Sequence, residues 1–245
     1  MKILIIKTGS TYPELAKKYG DFEDWVIRSV KNYSIDFIVN DAQSSQTLLS
    51  QNDYDGVIIT GSHDNVTENK PWMISTGLWI KEAVQKGIPL LGICFGHQLI
   101  ASALGGTVDF HPSGIEIGTV PITMNSAGKK DNLVGWLYPG FFAQASHSQT
   151  VTKLPEGAVV LASNSHEMHH IIRYGESAWG LQFHPEFTSI IMLRYLETER
   201  EALEKKGIDV NSLISTLSDT EPSRFLLRRF IEYVEAKKKQ TVLIV

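Results

Sequence analysis

The sequence predicts an α/β fold, in which flanking helices cover a doubly wound, mostly parallel β-sheet and further helices follow near the C-terminal end. Short apolar runs rich in β-branched residues alternate with amphipathic stretches over the first hundred residues, which is the pattern of strands joined by crossover helices. Nearly every position of these predicted strands is apolar, as expected when helices cover both faces of a sheet. We find no repeat or linker, and we expect residues 1–245 to form a single domain.

The N-terminal half supplies the strands of the predicted parallel sheet. These are Lys2–Ile6, Asp36–Val39, Gly56–Thr60 and Pro89–Ile93. Amphipathic stretches between and after them predict helices at Asp21–Asn32, Pro71–Gln85 and Gln98–Leu104. The Gly105-Gly106 pair marks the end of the last helix, because glycine readily ends a helix.

After Gly106 the pattern changes to short strands joined by turns. The predicted strands are Thr107–Phe110, Gly118–Met124, Ala158–Ser163, Ile171–Tyr174 and Ala178–Phe183. The last two are joined by a predicted hairpin turn at Tyr174–Ala178, which contains Gly175. Amphipathic stretches then predict helices at Ser189–Lys206, Val210–Leu217 and Glu221–Lys237.

Composition excludes several classes of function. The net charge of −4 argues against a protein that binds nucleic acid by electrostatics. Cys94 is the single cysteine, so no disulfide can form within the chain, and a reducing compartment fits best. The N-terminal residues do not match a signal peptide, and no apolar run approaches the roughly 18 residues that a membrane span requires. We therefore expect a cytoplasmic protein that binds neither nucleic acid nor membrane.

The strongest chemical signal is the segment Leu90–Gln98, LLGICFGHQ. An apolar strand leads directly into Gly-x-Cys-x-Gly and then into a helix, which is the layout of a nucleophile elbow with cysteine as the nucleophile. Glycines are required on both sides because the turn is tight and larger side chains would clash. The helix that begins here directs its positive end at the thiol and favours the reactive thiolate. The alternative is a small, buried and inert cysteine.

A second segment, Gly180–Glu186, offers a base for this nucleophile. Its sequence GLQFHPE places His184 and Glu186 two residues apart at the end of a predicted strand, so their side chains point to the same side. The Glu186 carboxylate would then orient the His184 imidazole, which completes a nucleophile, base and orienting group. By itself, His-Pro-Glu is a weak signal, and a structural histidine is the alternative.

Together, the elbow and the His-Pro-Glu segment resemble the two signatures of the class I glutamine amidotransferases. Their order and their separation of 90 residues also fit. Further likeness, mainly to stand-alone members similar to the amidotransferase domain of GMP synthase, lies in Gly20–Trp25, Gly56–Ser62, Asn69–Trp72 and Glu201–Asp209. The resemblance covers most of the chain and implies the flavodoxin-like fold of that family.

The resemblance implies roles for individual residues. Cys94 would attack the side-chain amide of glutamine and form a γ-glutamyl thioester, with His184 moving the protons and Glu186 holding His184. The Phe95 amide and an amide from Gly61 or Ser62 would form the oxyanion hole; the family often has Gly-Gly-Pro where this chain has Gly-Ser-His. The resemblance places the amino acid end of the substrate at Gln98 and at Ser146, His147 and Ser148. It implies no cofactor and no metal.

A different motif lies at His166–His170, HEMHH, which matches the H-E-x-x-H pattern of zinc proteases. That motif binds zinc only on a helix, where both histidines share a face. Here the flanking segments read as strands, and no third ligand follows at a known spacing. We therefore predict a polar turn with exposed histidines, with adventitious metal binding as a lesser alternative.

Three functions are compatible with these observations. The chain would be an amidotransferase or glutaminase that releases ammonia for a separate synthetase subunit, because the stretch after Glu186 is too short for a synthetase domain and contains no phosphate-binding loop. Alternatively, it would be a γ-glutamyl peptide or conjugate hydrolase with the same three residues. A non-catalytic regulatory or binding module is the third reading, although relatives of that kind usually lose a catalytic residue.

Overall fold

The computed structural model describes residues 1–31, 33–44 and 50–244. Asn32, the end of one predicted helix, and Val245, the end of the predicted domain, lie outside this range. The strands within it are β1 (Lys2–Lys7), β2 (Asp36–Asp41), β3 (Gly56–Ile59), β4 (Leu90–Ile93), β5 (Thr107–Phe110), β6 (Glu116–Met124), β7 (Gly140–His147), β8 (Gln149–Lys153), β9 (Val159–Ser163), β10 (Ile171–Tyr174) and β11 (Ala178–Leu181). The α-helices are α1 (Pro13–Tyr19), α2 (Phe22–Ser29), α3 (Pro71–Gln85), α4 (Phe95–Ala103), α5 (Ser126–Lys129), α6 (Ser189–Lys205), α7 (Val210–Ser215) and α8 (Glu221–Ile244).

Nine of these strands form one mixed sheet in the order β2-β1-β3-β4-β11-β10-β9-β6-β7. The five strands from β2 to β11 are mutually parallel, and only β10 and β6 run against the common direction of the described strands. Strands β5 and β8 form a separate antiparallel pair. The α/β fold with a mostly parallel sheet and C-terminal helices is therefore confirmed.

Helices cover both faces of the sheet, which explains why its central strands are apolar throughout. In β1, Ile3 and Ile5 belong to the apolar cluster that contains α2 and α8, whereas Leu4 and Ile6 belong to the cluster that contains α3 and α4. Alternate residues of a strand point to opposite faces, so both sets of side chains are buried. All four are fully buried.

The structure adds elements that the sequence pattern did not indicate. The stretch after β1, where no helix was predicted, contains α1, which begins with Pro13 at a position where its missing N–H costs no hydrogen bond. Strands β7 and β8 were also missed, because the polar residues at their junction interrupt the apolar pattern. The hairpin turn after β10 is confirmed, with Tyr174 paired to Ala178 and Gly175 at a φ of 66°.

Candidate active site

The nucleophile elbow is formed where β4 ends and α4 begins. Cys94 lies between them with φ 48° and ψ −99°, a conformation that a non-glycine residue adopts only at a cost of about 1–3 kcal/mol. A Cβ on Gly92 would lie 2.6 Å from backbone atoms of Gly96, and a Cβ on Gly96 would lie 2.6 Å from the carbonyl oxygen of Ile59. Both glycines are thus required by close backbone contacts, as the sequence pattern indicated.

The strained turn holds the Cys94 side chain at the edge of a cavity. Its backbone amide donates a 2.7 Å hydrogen bond to Leu181 of the neighbouring strand β11, which anchors the turn to the sheet. The sulfur lies 3.7 Å from the carbonyl oxygen of Ser146 and 3.7 Å from the side-chain nitrogen of Gln182. Cys94 is 7% exposed, so a small ligand in the cavity can reach a thiol that is otherwise enclosed.

His184 and Glu186 lie beside this thiol, just beyond the end of β11. The Nδ1 atom of His184 is 2.7 Å from Oε1 of Glu186, and both side chains are buried. The His184 backbone amide donates to the carbonyl of Gln144 on β7, which fixes the position of the segment. The carboxylate thus orients the ring, and the other nitrogen remains available on the side of Cys94.

Apolar and backbone contacts hold the His184 ring in one plane. It stacks on Phe187 with ring centroids 4.1 Å apart, and Phe22 lies nearly parallel to it at 6.1 Å. A Cβ on Gly61 would lie 3.0 Å from Cε1 of the imidazole, so the oxyanion loop borders the ring edge. This enclosure leaves the imidazole little freedom to rotate away from Cys94.

Electrostatics favour a charged imidazole. Burial alone lowers the pKa of His184, but the adjacent Glu186 carboxylate and the Cys94 sulfur outweigh burial and raise that pKa to about 10. A positive imidazole next to a thiol favours the thiolate, which is the nucleophilic form of cysteine. The arrangement therefore combines the groups that nucleophilic attack on a carbonyl carbon requires.

A cavity of about 240 Å³ opens above Cys94. Of the residues that the sequence predicted for the site, it is lined by Ser62, Cys94, Phe95, Gln98, Ser146, His147 and Ser148. Further lining residues that the pattern did not single out for the site are Tyr12, His63, Asp64, Asn65, Ile115, Gln149 and Glu199. A volume of this size suits a small amino acid derivative rather than a folded protein segment.

The two candidates for the second oxyanion donor differ in their surroundings. Ser62 lines the cavity, whereas Gly61 packs against the His184 ring and its carbonyl accepts a 3.0 Å hydrogen bond from Thr8. Neither Gly61 nor Ser62 has a positive φ, so the serine causes no backbone strain in this loop. Phe95, at the start of α4, is buried beneath the elbow and stacks against Trp72 at 5.6 Å.

Residues 15–199 of the chain match the family model described as glutamine amidotransferase class-I. The chain belongs to this family. Among curated proteins, it is 29% identical to GMP synthase [glutamine-hydrolyzing] of Blochmanniella floridana over 85% of its own length and 37% of that protein. It is 32% identical to the gamma-glutamyl-L-1-hydroxyisopropylamide hydrolase of a Pseudomonas species over 63% of its own length and 54% of that protein.

The chain thus spans about a third of that GMP synthase and about half of that hydrolase. Among solved structures, it is similar to a glutamine amidotransferase from Thermotoga maritima, with a TM-score of 0.74 and 27% identity over 96% of this chain and 97% of the other. This protein is therefore class I glutamine amidotransferase-like in sequence and in fold. In the part of the chain that the structure describes, no helix is both long and apolar enough to cross a membrane.

Gln98 and His147 lie at the cavity with their side chains already engaged in hydrogen bonds within the protein. The side-chain nitrogen of Gln98 donates to the Gln149 carbonyl at 2.9 Å and to the Gln182 side-chain oxygen at 3.0 Å. The ring nitrogens of His147 lie 3.0 Å from the Gln149 carbonyl and 2.9 Å from a carboxylate oxygen of Glu116. The His147 ring nitrogens are thus occupied by contacts within the protein.

The HEMHH segment forms a turn between β9 and β10, as predicted. Its histidines were predicted to be exposed, but they are buried or half-buried. His170 and Glu167 are buried, and His166 and His169 are half-buried. The reason is that the turn packs beneath the loop Ser146–Ser148, which we call the substrate loop after its expected role. There, His170 Nε2 lies 3.2 Å from the carboxylate of Glu116. No group of three metal-ligating side chains is arranged for a metal ion within residues 1–31, 33–44 and 50–244.

Two residues of the site were missed by the sequence analysis. Gln182 contacts both Cys94 and Gln98, and the period of two that it shares with His184 and Glu186 was an available signal. Glu116, at the start of β6, supports His147 and also accepts a 2.7 Å hydrogen bond from Asn164. No local pattern marks Glu116, because its partners lie 31 or more residues away.

Proposed function

We propose that this enzyme hydrolyses the side-chain amide of glutamine through Cys94, His184 and Glu186 and releases ammonia for a separate acceptor enzyme. The observation that carries this proposal is the strained Cys94 elbow at a small cavity, beside an imidazole that Glu186 holds at 2.7 Å. Nucleophile, base and orienting carboxylate are the three groups that acyl transfer from an amide requires.

In the first half of the reaction, the Cys94 thiolate attacks the amide carbon. The C–N bond then breaks, the charged His184 gives its proton to the departing nitrogen, and a γ-glutamyl thioester remains on Cys94. In the second half, His184 takes a proton from water, whose oxygen attacks the thioester carbon. The C–S bond breaks, glutamate leaves, and the thiolate and charged imidazole are restored.

The negative oxygen that forms in each half requires hydrogen-bond donors fixed in advance. We assign this task to the backbone amides of Phe95, at the positive end of α4, and of Ser62. Ser62 is preferred to Gly61 because Ser62 lines the cavity, whereas Gly61 lies against the His184 ring edge. We assign recognition of the amino acid end of the substrate to Gln98 and to the loop Ser146–Ser148.

A second candidate is hydrolysis of larger γ-glutamyl amides, for which the same residues and the same steps serve. One observation favours it: the cavity extends past Cys94 to Tyr12, Ile115 and Glu199, which the cleavage of glutamine alone does not require. The likeness to a protein named as a hydrolase of a γ-glutamyl hydroxyalkylamide is consistent with such substrates. In this case water is the acceptor and no synthetase subunit is needed.

The proposal is tested by intact-protein mass spectrometry after exposure to a chloroketone analogue of glutamine. We expect the wild type to gain a single adduct that excess glutamine prevents. Cys94→Ala, which leaves the chain without a thiol, should gain none. His184→Ala keeps the thiol but removes its charged neighbour, so it should react far more slowly.

Steady-state assays of the same proteins distinguish the two candidate functions. Release of ammonia from glutamine at a higher kcat/KM than release of amines from γ-glutamyl alkylamides supports the glutaminase. The reverse order supports the hydrolase. An adduct that persists in Cys94→Ala, or hydrolysis that survives this substitution, would refute the catalytic assignment.

A further inference from the structure

Three side chains from distant parts of the chain form one wall of the catalytic cavity. Tyr12 lies in the loop after β1, His63 follows the oxyanion loop, and Glu199 projects from α6; all three line the cavity that contains Cys94. The Tyr12 hydroxyl donates a 3.0 Å hydrogen bond to Oε1 of Glu199. The Tyr12 and His63 rings pack together with centroids 4.5 Å apart. We call Tyr12, His63 and Glu199 the acidic wall.

The Glu199 carboxylate of this wall is only weakly balanced by the protein around it, through the positive charge of Lys206, with which it forms no ion pair among the described residues. Asp64, the other carboxylate that lines the cavity, forms a 2.7 Å ion pair with Lys70. Within the described residues, Glu199 forms no ion pair, and no lysine or arginine lines the cavity. Burial and the charge of His184 lower the pKa of His63, so its ring is neutral at neutral pH. A partly buried carboxylate without a cation favours a ligand that supplies one.

The amino acid end of the substrate cannot fill this wall if it binds where we have placed it. With that end at Gln98 and Ser146–Ser148 and the amide carbon at Cys94, we assign the remaining lining residues to the nitrogen side of the amide bond. Tyr12 keeps Glu199 in place, and the paired rings of Tyr12 and His63 provide an apolar surface for an alkyl chain. Burial raises the pKa of Glu199 despite the opposing hydrogen bond from Tyr12 and the positive charge of Lys206, so the protein stabilises the charged carboxylate incompletely.

We propose that the acidic wall is a leaving-group subsite that selects γ-glutamyl amides whose amine portion carries a second, positively charged amino group. The inference rests on the γ-glutamyl chemistry proposed above and specifies its substrate class. Water and the γ-glutamyl amide give glutamate and a diamine: the C–N bond breaks, His184 protonates the departing nitrogen, and the distal ammonium group remains paired with Glu199. γ-Glutamyl amino acids, whose amine portion carries a carboxylate, are disfavoured by the same charge.

The experiment compares two amides of equal length, the γ-glutamyl amides of 1,4-diaminobutane and of n-butylamine, in the full-length enzyme. We expect the wild type to cleave the charged amide with a kcat/KM about tenfold higher, because a desolvated charge pair adds binding energy that the neutral chain lacks. In Glu199→Gln, which preserves shape and the hydrogen bond from Tyr12, this preference should fall to within about twofold. Cleavage of the neutral amide should stay within about twofold of the wild type.

Glu201→Gln is the matched control, since Glu201 lies on the same helix but is 85% exposed and paired with Lys205. It should retain the wild-type preference for the charged amide. The subsite proposal would be overturned if the wild type cleaved both amides with equal kcat/KM, or if Glu199→Gln lowered kcat/KM equally for both amides. Either result would leave the proposed γ-glutamyl chemistry intact. Failure to cleave either amide or glutamine would instead refute the proposed function itself.

Discussion

At the scale of single residues, the ionisation of His184 links catalysis to stability. Its pKa is raised to about 10 because Glu186 and Cys94 together outweigh the effect of burial. A histidine in an unfolded chain has a pKa near 6.5. Between about pH 6.5 and pH 10, the folded state therefore binds a proton at His184 more tightly than the unfolded state does. The charged ring thus raises the free energy of unfolding.

This difference gives a prediction for the pH dependence of stability in His184→Gln. The stabilisation from the charged ring is fully present below about pH 6.5 and is lost as pH rises through about 10. The free energy of unfolding of the wild type minus that of His184→Gln should therefore fall by up to about 1 kcal/mol per pH unit across this interval. Urea unfolding at several pH values measures it, and a difference that does not change with pH would contradict the assigned ionisation.

At the scale of elements, the junction of β4 and α4 depends on close backbone contact. In Gly96→Ala, the added Cβ would lie 2.6 Å from the Ile59 carbonyl oxygen, which is part of β3 and cannot move away. We expect the free energy of unfolding to fall by about 1–3 kcal/mol, and hydrolysis to fall with it because the elbow must shift.

Gly77→Ala in α3 is the matched control for this substitution. Its Cβ would meet no atom closer than 3.6 Å, and alanine is favoured over glycine in a helix by about 0.5–1 kcal/mol. Urea unfolding should therefore show a small gain in stability, with unchanged kcat/KM. If Gly96→Ala behaved like Gly77→Ala, the elbow would not depend on that contact.

The start of β6 and the end of β7 form a second element-scale unit, because Glu116 holds the His147 ring from beneath the substrate loop. The nearby histidines His147 and His170 also lower the pKa of Glu116, against the effect of burial, which raises it. The loop Ser146–Ser148 is thus held by a buried hydrogen bond between His147 and Glu116.

We expect Glu116→Gln to weaken this support and to raise KM more than it lowers kcat, because Glu116 touches the substrate loop and not the reacting atoms. The free energy of unfolding should fall by about 1–3 kcal/mol, since a buried partner is left incompletely bonded. The exposed Glu156→Gln serves as control. An unchanged KM in Glu116→Gln, measured with glutamine or a γ-glutamyl amide, would show that the loop keeps its position without Glu116.

At the scale of the whole molecule, α8 joins distant parts of the chain. It packs its apolar side against the sheet face shared with α2 and belongs to the same buried cluster as β1 and β4. Polar contacts extend this packing: Arg228 donates to the Ser29 carbonyl of α2, and Lys237 donates to the Gly87 carbonyl before β4. We therefore propose that residues 1–245 unfold as a single cooperative domain.

Phe230→Ala tests this integration, because Phe230 is fully buried in the α8 interface. We expect the free energy of unfolding to fall by about 3–5 kcal/mol, with circular dichroism and tryptophan fluorescence still giving one coincident transition in urea. Phe225→Ala, at a position that is 38% exposed, should cost far less. Separate transitions for the two probes would show that α8 and the sheet unfold independently.

How much of the fold and of the candidate site could be predicted from the sequence depends on how far apart in the chain the interacting residues lie. Strand β4 and the elbow glycines lie next to one another in the chain, so the spacing of Gly92, Cys94 and Gly96 was enough to indicate the strained turn. Strands β7 and β8 were missed because their junction carries the polar substrate loop, which interrupts the apolar alternation. The exposure of His170 was predicted wrongly, because its burial depends on Glu116, which lies 54 residues earlier in the chain.

The sequence by itself determined the α/β class, the family and the three candidate catalytic residues, since each follows from short patterns whose geometry the local backbone enforces. Only the tertiary structure decided which side chains complete the cavity. Glu116 and the acidic wall have no local motif, because their contacts join residues far apart in the chain. The position of the Glu199 carboxylate at the cavity is therefore set by the packing of α6 against the loop after β1.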